Sequence, residues 1–313
     1  MDLSSIWNLG LLRWLEQIRT PILNVCMMFF TYLGDEIVFL LVALTVLWCI
    51  DKRRGYYLLS VGFLGTILSQ FLKFCFRVPR PWIKDPNFSI VETARTSAGD
   101  YSFPSGHTQT AACVFGSLAR STHSRPMRWI YMIPIVLVPI SRMYLGVHTL
   151  ADVVAGLGLS CILVFAVYPF FCSMEEHPTR MFWMLGIFFV MALGHLLFLK
   201  CFPFPAEAYN DCYREGLKNA YSLLGALMGL MVAFPIEQKW IQYRTDAVWW
   251  AQVLKVALGA IGALAIKEGL KILSSLLFPG YLFPSAIRYF FVVLFAGAVW
   301  PLTFRYFEKL GRK

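Results

Sequence analysis

Charged side chains are scarce in this chain: they make up 15% of its 313 residues, against 58% apolar and 16% aromatic. That balance excludes a soluble domain of ordinary composition, in which roughly a quarter of the residues carry charge. Acidic residues are the scarcer sign, 18 against 28 basic ones, which leaves a formal charge of +10. An excess of this size can signal nucleic-acid binding, but the lysines and arginines fall in short clusters between apolar runs rather than along one face, so a nucleic-acid partner is not expected. No internal repeat and no low-complexity linker interrupts the chain. The first twenty residues also lack a clean apolar core, because Arg13, Glu16 and Arg19 punctuate an amphipathic pattern. No cleavable signal peptide is therefore expected, and targeting falls to the first spans.

What the chain has instead is a series of apolar runs approaching the roughly 20 residues that cross about 30 Å of hydrocarbon. The expected fold is all-α, a polytopic transmembrane helical bundle. Residues 5–19 read as an interfacial helix, apolar on one side and charged on the other. Apolar helices follow at about 34–50, 56–77, 106–121, 127–145, 149–172, 181–200, 217–236, 247–272 and 284–304, while residues 20–33 fit either a crossing or a shallow dip. Lys52, Arg53 and Arg54, then Arg120, Arg125 and Arg128, then Lys239 and Arg244, then Arg305, Lys309, Arg312 and Lys313 occupy alternate connections. The positive-inside rule makes that face cytoplasmic. Of the eight cysteines, Cys26, Cys49, Cys75, Cys113, Cys161 and Cys172 lie in or beside apolar segments and read as packing residues. Cys201 and Cys212 sit in the polar stretch 201–215 and can pair if that loop faces an oxidising compartment.

Three fragments stand out from this background: Lys73 followed by Arg80-Pro81, then Pro104-Ser105-Gly106-His107, then Ser141-Arg142 with His148 and Asp152. Each lies at a helix end, and all three fall on the face opposite the basic clusters. A phosphoryl group in transfer spreads charge over three oxygens, so its catalysis is mostly positioning and electrostatic stabilisation. Lys73, Arg80 and Arg142 can supply that charge, arginine as a planar fork and lysine as a mobile point charge. Pro104-Ser105-Gly106 precedes a helix-forming run, so the amides near Ser105, Gly106 and His107 are expected to point at the anion from a helix N-terminus, with Gly106 allowing close approach and Ser105 adding a hydroxyl. His148 and Asp152 are four apart, which on a helix stacks them on one face, the carboxylate holding one ring nitrogen and freeing the other as a nucleophile. His107, across the anion, suits a general acid toward the departing alkoxide. With three fixed cations no metal and no cofactor is expected.

The remaining polar residues read more plainly. Asp35 and Glu36 suit the positive end of a helix. His195 is a packing residue in an apolar span, and His123 and His177 fall in connections on the basic face. Lys267, Glu268 and Lys271, near the outer end of the 247–272 helix, are interfacial anchors or headgroup contacts. Loop 78–103, with Trp82, Lys84, Glu92, Arg95 and Tyr101, is expected to cover the site and touch a headgroup.

The pattern Lys-x6-Arg-Pro, Pro-Ser-Gly-His, Ser-Arg-x5-His-x3-Asp resembles the type 2 phosphatidic acid phosphatase superfamily, which includes membrane lipid phosphate phosphatases, undecaprenyl diphosphate phosphatases, sphingosine-phosphate phosphatases, glucose-6-phosphatases and vanadium haloperoxidases. The match is complete at every signature position. The resemblance implies His148 as nucleophile, Asp152 as its partner, His107 as acid, and Lys73, Arg80, Ser105, Gly106 and Arg142 as phosphate ligands. It also implies a six-helix core over about residues 20–172, after the interfacial helix within 1–19, with residues 173–313 as an added bundle of about four transmembrane helices. The expected activity is metal-independent removal of phosphate from a lipid phosphomonoester or diphosphate through a phosphohistidine, at the non-cytoplasmic face of a bacterial inner membrane. Two other readings stay open: a phosphatase for a water-soluble ester, and a transporter or binding protein for phosphate lipids. Oligomeric state is not legible.

Overall fold

Every regular element is a helix among the described residues of the computed structural model, 9–173, 176–205 and 211–310. Residues 5–8 of the expected interfacial helix, together with Arg312 and Lys313, lie outside the described residues. Two units partition the chain: Met1–Val42 with Tyr57–Tyr168, and Ala43–Tyr56 with Pro169–Lys313.

The first unit opens with α1 (Gly10–Gln17), which buries Leu12 and Leu15 and ties its charged face to a loop: Arg13 donates to Asp85 at 2.5 Å, and the Ser89 amide donates to Glu16 at 2.9 Å. In α2 (Pro21–Tyr32) the Thr20 hydroxyl accepts from the Leu23 amide and Pro21 takes the first helical position, where its missing N–H is no loss. Both ends of α2 touch the end of α7 (Arg125–Tyr144), Thr20 through the Tyr144 hydroxyl and Thr31 through Arg142. Residues 21–32 therefore lie along one end of the bundle. α3 (Glu36–Thr45) and the wider turns Val46–Ile50 follow, bent 48° from α2, and from Ala43 to Tyr56 the chain belongs to the second unit.

The rest of the first unit is α4 (Lys52–Phe76) from Tyr57 onward, the single turn α5 (Pro81–Lys84), α6 (Gly106–Ser121), α7, and α8 (Leu150–Cys172) as far as Tyr168. Among the described residues six helices are long and apolar enough to cross a membrane, or seven if the bent α2–α3 pair is one span. Neither α6 nor α7 is among them. α6 has 16 residues, short of a full crossing, and buries Thr108, Gln109, Ser117 and Ser121 against protein, where no lipid-compatible surface is needed. The C-terminal end of α4, the N-termini of α6 and α8 and the C-terminal end of α7 meet at one end of the unit. Arg120 marks the other end, its guanidinium 3.8 Å from the Tyr168 ring centroid.

In the second unit, α9 (Pro178–Cys201), α10 (Asp211–Ile236), α11 (Trp249–Leu277) and α12 (Pro284–Leu294) run to the short α13 (Phe304–Phe307). Gly225 and Gly229 let α10 and α12 pack backbone to backbone: a Cβ at Gly229 would meet the Phe290 carbonyl at 2.6 Å. Buried Glu237 accepts from Lys52 at 2.5 Å, and buried Lys255 donates to the Trp48 carbonyl at 3.2 Å. Cys201 and Cys212 form no disulfide.

Candidate active site

Lys73 and Arg80 are brought together by the way α4 stops. Arg77 adopts the left-handed conformation (φ 47°), its amide bonds back to the Lys73 carbonyl at 2.8 Å, and Pro79 prevents the helix from resuming. Lys73 then sits in the last turn of α4 and Arg80 caps α5, both side chains 3% exposed. Lys73 Nζ donates to Asp100 Oδ2 at 2.6 Å and to the Tyr101 carbonyl at 2.9 Å. Arg80 donates from Nη2 to Asp100 Oδ1 at 2.5 Å, from Nε to the Asp100 carbonyl at 2.8 Å and from Nη1 to the Val147 carbonyl at 2.9 Å. The same Nη1 lies 2.9 Å from His148 Nε2.

Arg142 comes from the last turn of α7 and is fully buried. Its Nη1 donates to Thr31 Oγ1 at 2.9 Å and Ser97 Oγ at 3.0 Å, and Nη2 reaches the Ser97 carbonyl at 3.3 Å. Nε has no hydrogen-bond partner among the described residues.

The link between His148 and Asp152 differs from the expected stack on a helix face. Helix α8 begins at Leu150, so His148 precedes it. Gly146, at φ 83°, turns the chain out of α7. Thr149 and Asp152 then bond reciprocally, the Thr149 amide to Asp152 Oδ2 at 2.7 Å and the Asp152 amide to Thr149 Oγ1 at 3.4 Å. This is a capping box, and it fixes the carboxylate before the imidazole arrives. Asp152 Oδ2 also accepts from Ser102 Oγ at 2.6 Å and stands 3.5 Å from His148 Nδ1. With Nδ1 protonated toward Asp152, Nε2 carries the lone pair.

The Ser105 amide, expected to face an anion, instead donates to the Asp152 carbonyl at 3.0 Å, which locks the start of α6 to the start of α8. Its hydroxyl is buried without a partner among the described residues, as is that of Thr108. A Cβ added at Gly106 would meet nothing within 4 Å, so there is open space beside the helix N-terminus. His107 follows in the first turn of α6, half-buried and in electrostatic contact with Arg142, His148, Arg80 and Lys73. Every residue expected at the site, Lys73, Arg80, Ser105, Gly106, His107, Arg142, His148 and Asp152, thus lies at this one end of the first unit.

Charge follows the geometry. Burial disfavours an ionised Asp100, but Lys73 and Arg80 outweigh it and hold the carboxyl well below the usual carboxylate range. Burial, reinforced by Arg80, Arg142 and Lys73, pushes the His148 imidazole well below its ordinary value, so it is neutral at neutral pH. Among the described residues no three His, Cys, Asp or Glu side chains gather as a metal site.

Asp100, Ser97, Ser102 and Thr31 were not singled out by the sequence. In a loop that also holds Asp85 and Glu92, nothing local marks Asp100. Elsewhere, Asp35 caps α3 by accepting the Ile37 amide at 2.9 Å. Trp82 lies under Arg95, which pairs with Glu92 at 2.7 Å on the loop surface. Glu268 and Lys271 form an exposed pair at 3.4 Å in the second unit, and His195 is buried in α9.

Comparison with known proteins bears on the family. Residues 54–173 match the PAP2 superfamily, and residues 221–313 match the PAP2 superfamily phosphatase transmembrane extension. The chain is 33% identical over 167 residues to phosphatidylglycerophosphatase B of Bacillus subtilis, covering 49% of this chain and 77% of that protein. It is 24% identical over 208 residues to mouse sphingosine-1-phosphate phosphatase 2, covering 64% of this chain and 55% of that protein. It spans about half the length of the mouse and human sphingosine-1-phosphate phosphatases 2. The crystal structure of a transmembrane PAP2 type phosphatidylglycerolphosphate phosphatase from Bacillus subtilis aligns with a TM-score of 0.46 at 28% identity, over 54% of this chain and 87% of that one. With the three-part pattern met at one site and the sequence matched over most of a bacterial relative, the chain belongs to the PAP2 superfamily, the type 2 phosphatidic acid phosphatases.

Proposed function

We propose that this protein is an integral membrane phosphatase that removes phosphate from a lipid phosphomonoester or diphosphate, with His148 as nucleophile and without a metal. The observation that carries this reading is the approach of Arg80 Nη1 to His148 Nε2 at 2.9 Å, which sets an anion-binding fork beside the nucleophilic lone pair. A phosphoryl group that displaces this contact and seats against Nε2 takes the donors of Lys73 and Arg80, the Arg142 Nε and the Ser105 hydroxyl, the last two of which have no other partner among the described residues. Nε2 attacks phosphorus, the P–O bond to the lipid breaks, and His107 gives its proton to the alkoxide. Asp152 holds the imidazolium side of His148. A water, deprotonated by His107, then attacks the phosphohistidine, breaking the N–P bond and releasing inorganic phosphate. With the site at the end of the first unit opposite Arg120, the positive-inside rule assigns the reaction to the non-cytoplasmic face of the membrane, and the expected membrane is a bacterial inner one.

The substrate class rests on the relatives, which are named for phosphatidylglycerophosphate, sphingosine 1-phosphate and undecaprenyl diphosphate. Phosphatidic acid carries the same terminal group. The test is release of inorganic phosphate by purified protein across long-chain lipid phosphates, lipid diphosphates and short-chain or water-soluble esters, beside His148→Ala. The reading expects turnover of the long-chain lipids, loss in the variant, inhibition by vanadate and indifference to chelators. Full phosphate release by His148→Ala would overturn the mechanism. Equal turnover of water-soluble esters would overturn the lipid substrate.

A further inference from the structure

Asp100 spans the two cations that a phosphoryl group needs. Its carboxylate gives one oxygen to each, Oδ2 to Lys73 at 2.6 Å and Oδ1 to Arg80 at 2.5 Å, as two oxygens of a phosphate would. Its surroundings divide into fixed and movable parts. The backbone is pinned on both sides of the side chain: the Asp100 carbonyl accepts from Arg80 Nε, the Tyr101 carbonyl from Lys73, and the Ser102 amide donates to the Val78 carbonyl. The carboxylate itself is 30% exposed, whereas the lysine and arginine it bridges are 3% exposed. Beside it, a Cβ at Gly99 would meet nothing within 4 Å. A rotation about the side-chain bonds can therefore take the carboxylate off both cations while the main chain continues to hold them.

Charge gives this exchange a consequence. Lys73, Arg80 and Arg142 carry three positive charges and Asp152 one negative charge, so the cluster has a net of two when the Asp100 carboxylate is turned away and of one when it is in place. A terminal phosphomonoester brings close to two negative charges near neutral pH. A phosphodiester brings one, no more than the carboxylate already in place. The membrane around the site is made of phosphodiester lipids in large excess over any substrate, and these must be kept out of an anion site that opens to them. An internal anion that only a dianion can displace achieves this by opposing the wrong ligand rather than by improving contacts to the right one.

We propose that Asp100 is a specificity-determining residue: its carboxylate is a displaceable counter-ion that yields Lys73 and Arg80 to dianionic terminal phosphates and withholds them from the monoanionic phosphodiester headgroups of the bilayer. This rests on the reading of the site as a phosphate site. The test uses the full chain in detergent micelles and binding rather than turnover, with inorganic phosphate at pH about 8, where it is mainly a dianion, as the probe. Asp100→Asn should bind phosphate on the order of tenfold more tightly than the parent, since one charged competitor is gone. Phosphatidylglycerol in mixed micelles should displace phosphate from the variant and not from the parent. Unchanged or weaker phosphate binding by Asp100→Asn overturns the proposal, and tighter binding without displacement by phosphatidylglycerol overturns the discrimination. A structure of the parent protein with inorganic phosphate gives an answer independent of the variant's folding: phosphate oxygens on Lys73 and Arg80 with the Asp100 carboxylate turned away support it, and a carboxylate still on both cations refutes it. If the parent binds no phosphate, or Arg80→Gln binds it as well as the parent does, the phosphate reading itself fails and takes the proposal with it.

Discussion

Ser102 Oγ donates to Asp152 Oδ2 at 2.6 Å, and both residues are fully buried. The serine is four residues before the start of α6 and the aspartate is in the first turn of α8, so this bond fastens the covering loop to the carboxylate that orients His148. Asp152 Oδ2 then serves Ser102, the Thr149 amide and the imidazole together, with Oδ1 left without a partner among the described residues. Ser102→Ala removes one of the two strong bonds on that oxygen. A lost hydrogen bond to a buried charge is worth about 1.5–3 kcal/mol. The expected result is a fall in kcat of about tenfold or more with KM little changed, because the serine acts through Asp152 and not on the lipid. Steady-state kinetics with Ser102→Thr as the restoring variant check this, and a change confined to KM would contradict it.

Two glycines at the site predict opposite outcomes. At Gly106 an added methyl group enters open space, so Gly106→Ala should fold as the parent does and lose phosphate affinity, KM rising on the order of tenfold. At Gly34 the same methyl would stand 2.5 Å from the His107 carbonyl and 2.9 Å from a Val138 methyl. Overpacking of this kind costs about 1–3 kcal/mol, so Gly34→Ala should lower the thermal midpoint and reduce kcat by displacing His107. Thermal unfolding in detergent alongside kinetics separates the two.

The pH dependence follows from His148. Burial first, then Arg80, Arg142 and Lys73, lower its pKa from the ordinary 6.5, while Asp100 opposes them. A lowered pKa means that the neutral, nucleophilic form persists as pH falls. The acid limb of kcat/KM, which reports the free enzyme, should therefore lie below pH 6.5. Removing the opposing charge in Asp100→Asn should move that limb to still lower pH. An acid limb above the ordinary histidine value would contradict the burial and the cation cluster together.

The sequence made the helical class and the eight site positions legible for different reasons. Apolar periodicity and length reveal spans, but only for helices that face lipid. α6 reads as an apolar run over 106–121, yet it has 16 residues and turns Thr108, Gln109 and Ser117 against protein, so it is shorter and more polar than a lipid-facing crossing. Lys73, Arg80 and Arg142 were visible not as single cations, which are common at the ends of membrane helices, but because they stand in order and at fixed spacing with Pro104-Ser105-Gly106-His107 and with His148 and Asp152, all on one face. Their partners were not: Asp100, Ser97, Ser102 and Thr31 are ordinary loop and helix-end residues until folding brings them to the cations. The spacing of four between His148 and Asp152 pointed to the right pair for the wrong geometry, since a capping box at Thr149 sets the carboxylate before the helix face exists. Likewise the Ser105 amide, which a helix N-terminus would aim at an anion, is taken by the Asp152 carbonyl.

Arg142 gives the sharpest test of why the third cation is an arginine. Its Nη1 and Nη2 are committed to Thr31 and Ser97, which come from α2 and the covering loop, and its buried Nε is without a hydrogen-bond partner among the described residues. One planar group thus joins three segments and still offers a donor to an anion. A lysine keeps the charge but has a single nitrogen, which cannot reach Thr31, Ser97 and a phosphoryl oxygen in one plane. Arg142→Lys should therefore behave unlike a conservative change, with kcat/KM falling about a hundredfold, a loss of about 2.7 kcal/mol in transition-state stabilisation. Thr31→Val, which removes one acceptor and leaves the guanidinium in place, should cost far less activity and mainly lower the thermal midpoint. Equal activity of Arg142→Lys and the parent would show that charge alone suffices at this position, and the fork geometry would then have no part in the reaction.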